Sequence, residues 1–263
     1  MLRIEHINKT FNPGTVNEKQ ALRDLSLHLA PGDFVTIIGS NGAGKSTLFN
    51  AIGGSFFTDS GKIYLDGKDI TFTPDFVRAK SIGRLFQDPM KGSAHAMTIE
   101  ENLALAAGKG GWLSHVTREE KRNFRDKLAQ LDLGLEDRMH QPVGLLSGGQ
   151  RQALTLLMAT LVTPKLLLLD EHTAALDPAT AEKVLDLTRR IVAENGITCL
   201  MITHNIPSAL HLGNRTIMMK DGHVVMELEG EARAHMTPGE LLDAFHRQGM
   251  NNDRVFFSTG GEQ

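Results

Sequence analysis

The chain has 263 residues, of which 41% are hydrophobic and 22% are charged, the ordinary composition of a globular protein with a core. Its 28 lysines and arginines against 31 aspartates and glutamates give a net charge of −3, which argues against nucleic acid as a partner. The longest apolar stretch, Ala153–Val162, is too short for a membrane-spanning helix, which needs about twenty residues. Because Cys199 is the single cysteine and the N-terminus lacks an apolar signal segment, we expect a cytoplasmic protein.

Two kinds of apolar pattern predict strands. Leu2–Ile7 and Leu25–Leu29 alternate apolar and polar residues, which is typical of half-buried, antiparallel strands. Short continuous apolar runs indicate buried strands of a central sheet, and these are Phe34–Ile38, Leu166–Leu169 and Thr198–Ile202. A helix is predicted after each of these three runs, so we expect βαβ units and a mostly parallel sheet.

The predicted helices begin at recognisable start signals. The three that follow the buried strands start at Gly44, after Pro178 and after Asn205. Between residues 88 and 164 strand patterns are rare, and Thr117 with Glu120 forms a capping box that opens a helix to about Leu131. The only tryptophan, Trp112, is predicted to lie in a loop of this segment.

The C-terminal part completes the predicted organisation. Asp221-Gly222 is a hairpin turn signal, and Thr237–Glu240 opens a last helix with proline at its first position. We therefore expect one domain over residues 1–247, with a core of residues 1–87 and 165–247. A helical insertion over about residues 88–164 interrupts that core, and residues 248–263 form a tail.

Residues 39–47 read GSNGAGKST and match the phosphate-binding pattern G-x-x-x-x-G-K-[ST] directly after a predicted strand. Such a loop wraps a phosphate in backbone N–H groups at a helix start, while Lys45 reaches the β- and γ-phosphates and Ser46 supplies a hydroxyl to Mg²⁺. The alternative is a glycine-rich turn that matches by chance. The candidate nucleotide-binding residues are Gly39, Ser40, Asn41, Gly42, Ala43, Gly44, Lys45, Ser46 and Thr47.

Two carboxylates follow the predicted strand Leu166–Leu169. Asp170 comes at the carboxyl end of the strand, where α/β sheets bind ligands, and it suits the coordination shell of Mg²⁺. Glu171 follows on the exposed rim and suits the role of general base toward an attacking water. Taken alone, the pair is better explained as a strand that ends in solvated acids. The phosphate loop makes the catalytic interpretation the stronger one.

A second helix start has features of an anion site. Residues 146–150 read LSGGQ, in which Ser147 is a predicted N-cap with Gly148 and Gly149 behind it. The chain would then carry two phosphate-binding helix starts but one lysine-bearing loop. A two-fold dimer resolves this by placing the second start over the nucleotide of the partner subunit. A plain capped helix is the alternative.

Over about residues 2–245 the chain resembles the ATP-binding-cassette (ABC) ATPase family, whose motifs it carries in the family's order. They are the Walker A loop at 39–47, Gln87 in RLFQDP, LSGGQ at 146–150, the Walker B acids Asp170 and Glu171, ALD at 175–177, and His204 in ITHN. The resemblance implies an α/β fold with a P-loop NTPase core, an N-terminal antiparallel β subdomain and an inserted α-helical subdomain. It also implies ATP hydrolysis with Mg²⁺.

The family's residue roles carry over where the motifs match. By resemblance, Gln87 is a Mg²⁺ residue that couples the region of the metal and the attacking water to the helical insertion. His204 contacts the γ-phosphate and orients the base. Phe11 stacks on adenine, and Asp177 lies at the dimer seam. Four further residues contact the nucleotide held by the other subunit, and these are Ser147, Gly148, Gly149 and Gln150.

One departure from the family is informative. Where the family commonly has proline after the Walker B glutamate, this chain has His172. With this histidine and the segments LLSGGQRQALTLLMATL and DEHTAALD, the chain resembles the ATPase components of bacterial importers that use a substrate-binding lipoprotein. Some members of that group are assigned tryptophan or other aromatic amino acids as the transported substrate. The implied partners are a second copy or a homologous ATPase subunit, and a permease at the cytoplasmic face of the cell membrane. The alternative is a soluble ABC ATPase, for example of iron–sulfur cluster assembly.

Overall fold

The computed structural model describes residues 1–109 and 116–247, so the prediction for Trp112 and the predicted tail lie outside the described residues. The chain divides into two compact units. The first contains Met1–Ile82, Lys165–Glu171 and the chain from Gly196 onward, and the second contains Gly83–Pro164 and His172–Asn195. The second unit thus starts before residue 88 and includes a segment, His172–Asn195, that the sequence analysis placed in the core.

The strands of the described residues form two sheets. Their bounds are β1 (Leu2–Phe11), β2 (Lys19–Leu29), β3 (Phe34–Ile38), β4 (Ser60–Leu65), β5 (Lys68–Asp69), β6 (Ile82–Leu85), β7 (Leu166–Asp170), β8 (Thr198–Ile202), β9 (Arg215–Lys220) and β10 (His223–Glu229). In the first unit, β2-β1-β4-β5 form an antiparallel sheet and β10-β9-β3-β8-β7 form a second, mixed sheet. Because β7, β8, β3 and β9 run parallel, the predicted α/β fold is confirmed.

The first two strands are longer than predicted. β1 continues to Phe11 and β2 begins at Lys19, and these two residues pair with each other. Polar side chains interrupt the hydrophobic alternation in both extensions, although the ladder still pairs the backbone. The alternation therefore marks only the buried part of each strand.

The helices begin where their caps predict. They are α1 (Lys45–Gly53), α2 (Asp75–Arg78), α3 (Ile99–Ala106), α4 (Arg118–Ala129), α5 (Gly148–Thr160), α6 (Pro178–Glu194), α7 (Ile206–His211), α8 (Gly230–Ala234) and α9 (Pro238–Arg247). Thr117 and Glu120 make both bonds of the capping box, and α4 ends at Ala129 rather than at Leu131. Across the part of the chain that is described, none of these helices has the length and apolar character needed to cross a bilayer.

The core of the first unit fixes three strand ends side by side. Ile37, Leu168 and Leu200, from β3, β7 and β8, are fully buried and share one cluster with Leu48 of α1. Burying a side chain of this size contributes about 1.5–3 kcal/mol. The apolar strands therefore hold the loops that follow their carboxyl ends in defined positions.

Candidate functional site

A cavity of about 280 Å³ lies at the carboxyl ends of the parallel strands of the first unit. The loop after β3 forms its floor, and the residue that follows β7 reaches its wall. The lining residues are Phe11, Lys19, Ala21, Asn41, Gly42, Gly44, Lys45, Ser46, Thr47 and Glu171. The structure thus brings the predicted phosphate loop, the predicted base and the predicted stacking aromatic to one site.

Two glycines are required by the shape of the loop. Gly39 has φ 156° and Gly44 has φ 98°, both in the region that side chains disfavour. A Cβ at Gly39 would lie 2.4 Å from the carbonyl oxygen of Met219, and one at Gly44 would lie 2.5 Å from that of Ala21. The loop is therefore packed against neighbouring backbone on two sides. Its end becomes the N-terminus of α1, a preformed anion site.

Lys45, the first residue of α1, is buried under the loop. Its Nζ donates hydrogen bonds to the carbonyl oxygens of Gly39, at 2.7 Å, and Ser40, at 3.0 Å. A buried ammonium group needs such partners. These contacts hold the loop closed around the amine, next to the exposed side chain of Ser46.

Glu171 lines the cavity, and His204 contacts its carboxylate. The Nε2 atom of His204 lies 2.5 Å from the Oε1 atom of Glu171, and both side chains are mostly buried. Glu171 has φ 46°, a strained conformation for a residue with a side chain, while its N–H donates to the carbonyl oxygen of Ile202 at 3.1 Å. The strained turn directly precedes the buried His172, and the Glu171 side chain lines the cavity. Asp170, just before it, is half-buried at the end of β7.

Phe11 is half-buried at the cavity and makes an edge-to-face contact with Phe56, with ring centroids 5.4 Å apart. Lys19 and Ala21 of β2 also line the cavity, and sequence reasoning missed both of them. No local signal could have found them, because they reach the cavity through the pairing of β2 with β1. The cation of Lys19 adds positive charge to the site.

The remaining predicted residues belong to the second unit. Ser147 caps α5: its Oγ accepts from the N–H of Gln150 at 3.3 Å, and the Oε1 of Gln150 accepts from the N–H of Ser147 at 3.2 Å. Sequence reasoning missed this reciprocal bond, although the S-x-x-Q spacing is its signal. Gly149 packs so closely on α6 that a Cβ would lie 2.1 Å from Thr180 Cγ2. Gly148, like Ser147, is exposed.

Asp177 and Gln87 are also exposed residues of this unit. Asp177 caps α6, with its Oδ1 accepting from the N–H of Thr180 at 3.1 Å. Hydrogen bonds from the side chain and the backbone of Thr180 lower the pKa of the Asp177 carboxyl. An ionised carboxylate at this position also complements the dipole of α6.

His172 is buried in the second unit. Its Nε2 lies 3.1 Å from the Oγ1 of Thr188, whose hydroxyl donates to the carbonyl oxygen of Val184 at 2.7 Å. Since that hydroxyl proton is used, the imidazole N–H is the donor to Thr188. Burial lowers the pKa of His172 to about 4, so the ring is neutral at physiological pH.

The comparisons with known proteins identify the family of this chain. The family model described as ABC transporter matches residues 22–174. A tyrosine transport ATP-binding protein of Clostridioides difficile is 44% identical over 93% of this chain and 98% of its own. A methionine import ATP-binding protein of Lactobacillus delbrueckii subsp. bulgaricus is 34% identical over 86% of this chain and 64% of its own.

A solved structure extends the likeness to the fold. It is a dimeric ATP-binding cassette in a post-hydrolysis state, bound to ADP and inorganic phosphate. It is 31% identical, covers 87% of this chain and 98% of its own, and superposes with a TM-score of 0.75. The resemblance drawn from the motifs is confirmed. The chain belongs to the ABC transporter family, as an ATP-binding subunit that hydrolyses ATP.

Proposed function

We propose that this ATPase powers the import of an amino acid, of the aromatic class, at the cytoplasmic face of the cell membrane. Its partners are integral permease subunits and, indirectly, a substrate-binding lipoprotein. The proposal is supported by the likeness of this chain to a tyrosine transport and a methionine import ATP-binding protein. The replacement of the family's proline by His172 supports the same subfamily.

The phosphates of ATP bind in the loop of residues 39–47. Lys45 exchanges the carbonyl oxygens of Gly39 and Ser40 for β- and γ-phosphate oxygens, which are stronger acceptors because they are charged. Backbone N–H groups of the loop and of the first turn of α1 complete the cradle. The adenine stacks on Phe11 at the other end of the cavity.

The oxygen atoms around the loop fit a magnesium ion. The Ser46 hydroxyl is exposed at the first turn of α1, the Asp170 carboxylate is at the end of β7, and Mg²⁺ prefers such hard oxygen ligands. We assign Gln87 of the second unit as a further oxygen ligand on the family resemblance. When bound, Mg²⁺ neutralises charge on the β- and γ-phosphates.

Hydrolysis is carried by Glu171 as general base. The observation that carries this assignment is the 2.5 Å contact between Glu171 and His204, at a cavity floored by the phosphate loop. Glu171 accepts a proton from the attacking water, and His204 holds the carboxylate and contacts the γ-phosphate. Lys45 stabilises the charge that develops on the γ-phosphate.

Two copies act as a head-to-tail dimer that holds two ATP molecules between them. The N-terminus of α5 in one copy meets the γ-phosphate bound in the other, and the contacts come from Ser147, Gly148, Gly149 and Gln150. Asp177 lies at the seam. This arrangement is supported by the exposure of the α5 start and by the dimeric state of the structural relative. Loss of the γ-phosphate then opens the dimer and drives the permease.

Affinity capture from gently solubilised membranes tests the transport role. We expect the tagged chain to co-purify with a multi-spanning permease and a lipoprotein, and cells to lose uptake of labelled tyrosine when Lys45→Ala replaces the natural chain. Lys183→Ala, an exposed change on α6, is the control and keeps uptake. Capture from the soluble fraction with iron–sulfur assembly proteins would contradict the importer assignment and favour the soluble alternative.

A further inference from the structure

Lys9 lies beside two aromatic rings, one of which, that of Phe11, lines the cavity. Its Nζ is 5.7 Å from the ring centroid of Phe11 and 5.3 Å from that of Phe56. The same Nζ donates to Asp59 Oδ1 at 2.8 Å and to the carbonyl oxygen of Phe57 at 3.0 Å. The lysine side chain is 16% exposed, so the cation is fixed and poorly hydrated, the condition in which a cation–π contact is strongest.

Asp59 extends these contacts to the backbone of β1. Its Oδ2 accepts from the N–H of Thr10 at 2.6 Å, and its own N–H donates to the carbonyl oxygen of Asn8 at 2.9 Å. Burial alone would raise the pKa of Asp59, but the hydrogen bonds from Lys9 and Thr10 outweigh it and lower the pKa. The ionised carboxylate therefore ties the end of β1 to the segment that follows α1.

These contacts restrain the ring of Phe11. Phe11 is the last residue of β1, directly after the residue that Asp59 binds, and its ring meets Phe56 edge to face. A phenylalanine without such neighbours would change rotamer freely, and stacking of a base on it would cost side-chain entropy. A preorganised ring avoids that cost.

We propose that Lys9 and Asp59 are positioning residues of the base site: they hold Phe11 against Phe56 in the orientation that stacks on adenine. They thereby determine how strongly the protein prefers ATP to a triphosphate without a base. The inference rests on the proposed role of Phe11 and deepens it. It predicts an effect on base recognition and none on phosphate recognition.

The same sheet offers a matched control. Lys62 forms an ion pair with Asp69 at 3.2 Å and lies 6.0 Å from the ring centroid of Tyr64. It therefore has the same two kinds of contact as Lys9, and none of these three residues lines the cavity. Lys62→Met removes a more exposed lysine with the same kinds of contact, outside the base site.

The test compares the affinities of ATP and inorganic tripolyphosphate by calorimetry. We expect Lys9→Met to lower the affinity for ATP by about five- to tenfold and to leave that for tripolyphosphate within about twofold. Asp59→Asn lowers the ratio of the ATP affinity to the tripolyphosphate affinity in the same way. Lys9→Arg keeps most of the ratio of the unmodified protein, and Lys62→Met leaves both affinities unchanged. In a Phe11→Ala background, Lys9→Met has no additional effect on ATP.

The outcomes separate this inference from the proposed function. Equal losses for ATP and tripolyphosphate, or an ATP affinity of Lys9→Met within twofold of the unmodified protein, would overturn the positioning role. If Phe11→Ala binds ATP normally, the base site itself is wrong, and the inference fails with it. If the unmodified protein binds neither ligand, the nucleotide site as a whole is wrong. Thermal unfolding of each variant verifies that it is folded.

Discussion

The imidazole of His204 contacts the carboxylate of Glu171 at 2.5 Å, although the two residues belong to turns after different strands. β7 and β8 are paired in parallel register, with Asp170 opposite Ile202, so the residues that follow the strands emerge at the same edge. The contact is a direct consequence of that register. It holds the proposed base in one orientation.

The first prediction concerns this base. Glu171→Gln keeps the shape of the side chain and its contact with His204 but cannot accept a proton. We expect ATP to bind normally and hydrolysis to fall at least about 100-fold, since a general base contributes 10²- to 10⁴-fold. Phosphate release and nucleotide binding are measured side by side. Glu182→Gln, at an exposed position of α6, is the control, and turnover of Glu171→Gln at the unmodified rate would refute the assignment.

The second prediction concerns the dimer. In a Glu171→Gln background, ATP is expected to trap a dimer, detected by size-exclusion chromatography with light scattering. Adding Ser147→Arg places a bulky side chain at the exposed start of α5, so we expect the dimer to be lost while the monomer still binds ATP. Removing the cap also destabilises α5 by about 1 kcal/mol.

Thr117→Arg is the matched control for Ser147→Arg. Thr117 is likewise an exposed N-cap with a complete capping box, but it caps α4. The same substitution there should destabilise the fold to a similar degree and leave the ATP-dependent dimer intact. A dimer that persists in Ser147→Arg, or is lost in Thr117→Arg, would contradict the placement of the α5 start at the dimer interface.

The third prediction concerns the shape of the phosphate loop. Gly39→Ala forces a Cβ to within 2.4 Å of the Met219 carbonyl oxygen, so the loop must shift. We expect the free energy of unfolding to fall by about 3 kcal/mol, with ATP binding lost. Gly239→Ala, whose Cβ would meet nothing within 4 Å, should change stability by less than about 1 kcal/mol. Equal melting temperatures for the two variants would disprove the steric argument.

The fourth prediction concerns pH. Burial lowers the pKa of His172 from the ordinary 6.5 to about 4. Between pH 6.5 and 4, His172 is therefore protonated in the unfolded chain and neutral in the folded chain. The free energy of unfolding should therefore decrease from pH 6.5 to 4, by about 3 kcal/mol from this residue. His172→Leu removes that part of the decrease.

The measurement for His172 is the difference in unfolding free energy between His172→Leu and the unmodified protein, taken by urea titration at several pH values. The difference should move in favour of the leucine variant as the pH falls from 6.5 to 4. Gln20→Leu, at an exposed position whose side chain does not titrate, is the control and should show a constant difference. A constant difference for His172→Leu as well would mean that the folded protein accommodates the charged ring.

The sequence predicted the parts of the site that depend on neighbours in the chain. The caps at Ser147 and Thr117, and the phosphate loop that ends at Gly44, lie within a few residues of the groups that they bind. The motif order also predicted the fold. Short-range chemistry is sufficient for these features.

The parts that the sequence could not predict depend on residues far apart in the chain. In the sequence, Lys9 is one of several polar residues near the end of β1. Only the pairing of β1 with β4 brings it to Asp59. Arg78 is likewise buried, and its guanidinium donates to the carbonyl oxygens of Ala51 and Ile52 at the end of α1. Neither position carries a local signal.

The phosphate loop is supported by strands and a turn that are synthesised long after it. β3 lies between β8 and β9, the carbonyl oxygen of Ala43 accepts from the N–H of Gly222, and a Cβ on Gly44 would come within 3.3 Å of Gly222 Cα. The loop is complete in sequence once residue 47 has been added, but its supporting strands and the hairpin turn arrive only near the C-terminus. A chain still growing on the ribosome therefore carries the nucleotide motif without the nucleotide site. We therefore expect ATP binding to require the β9–β10 hairpin beside the loop.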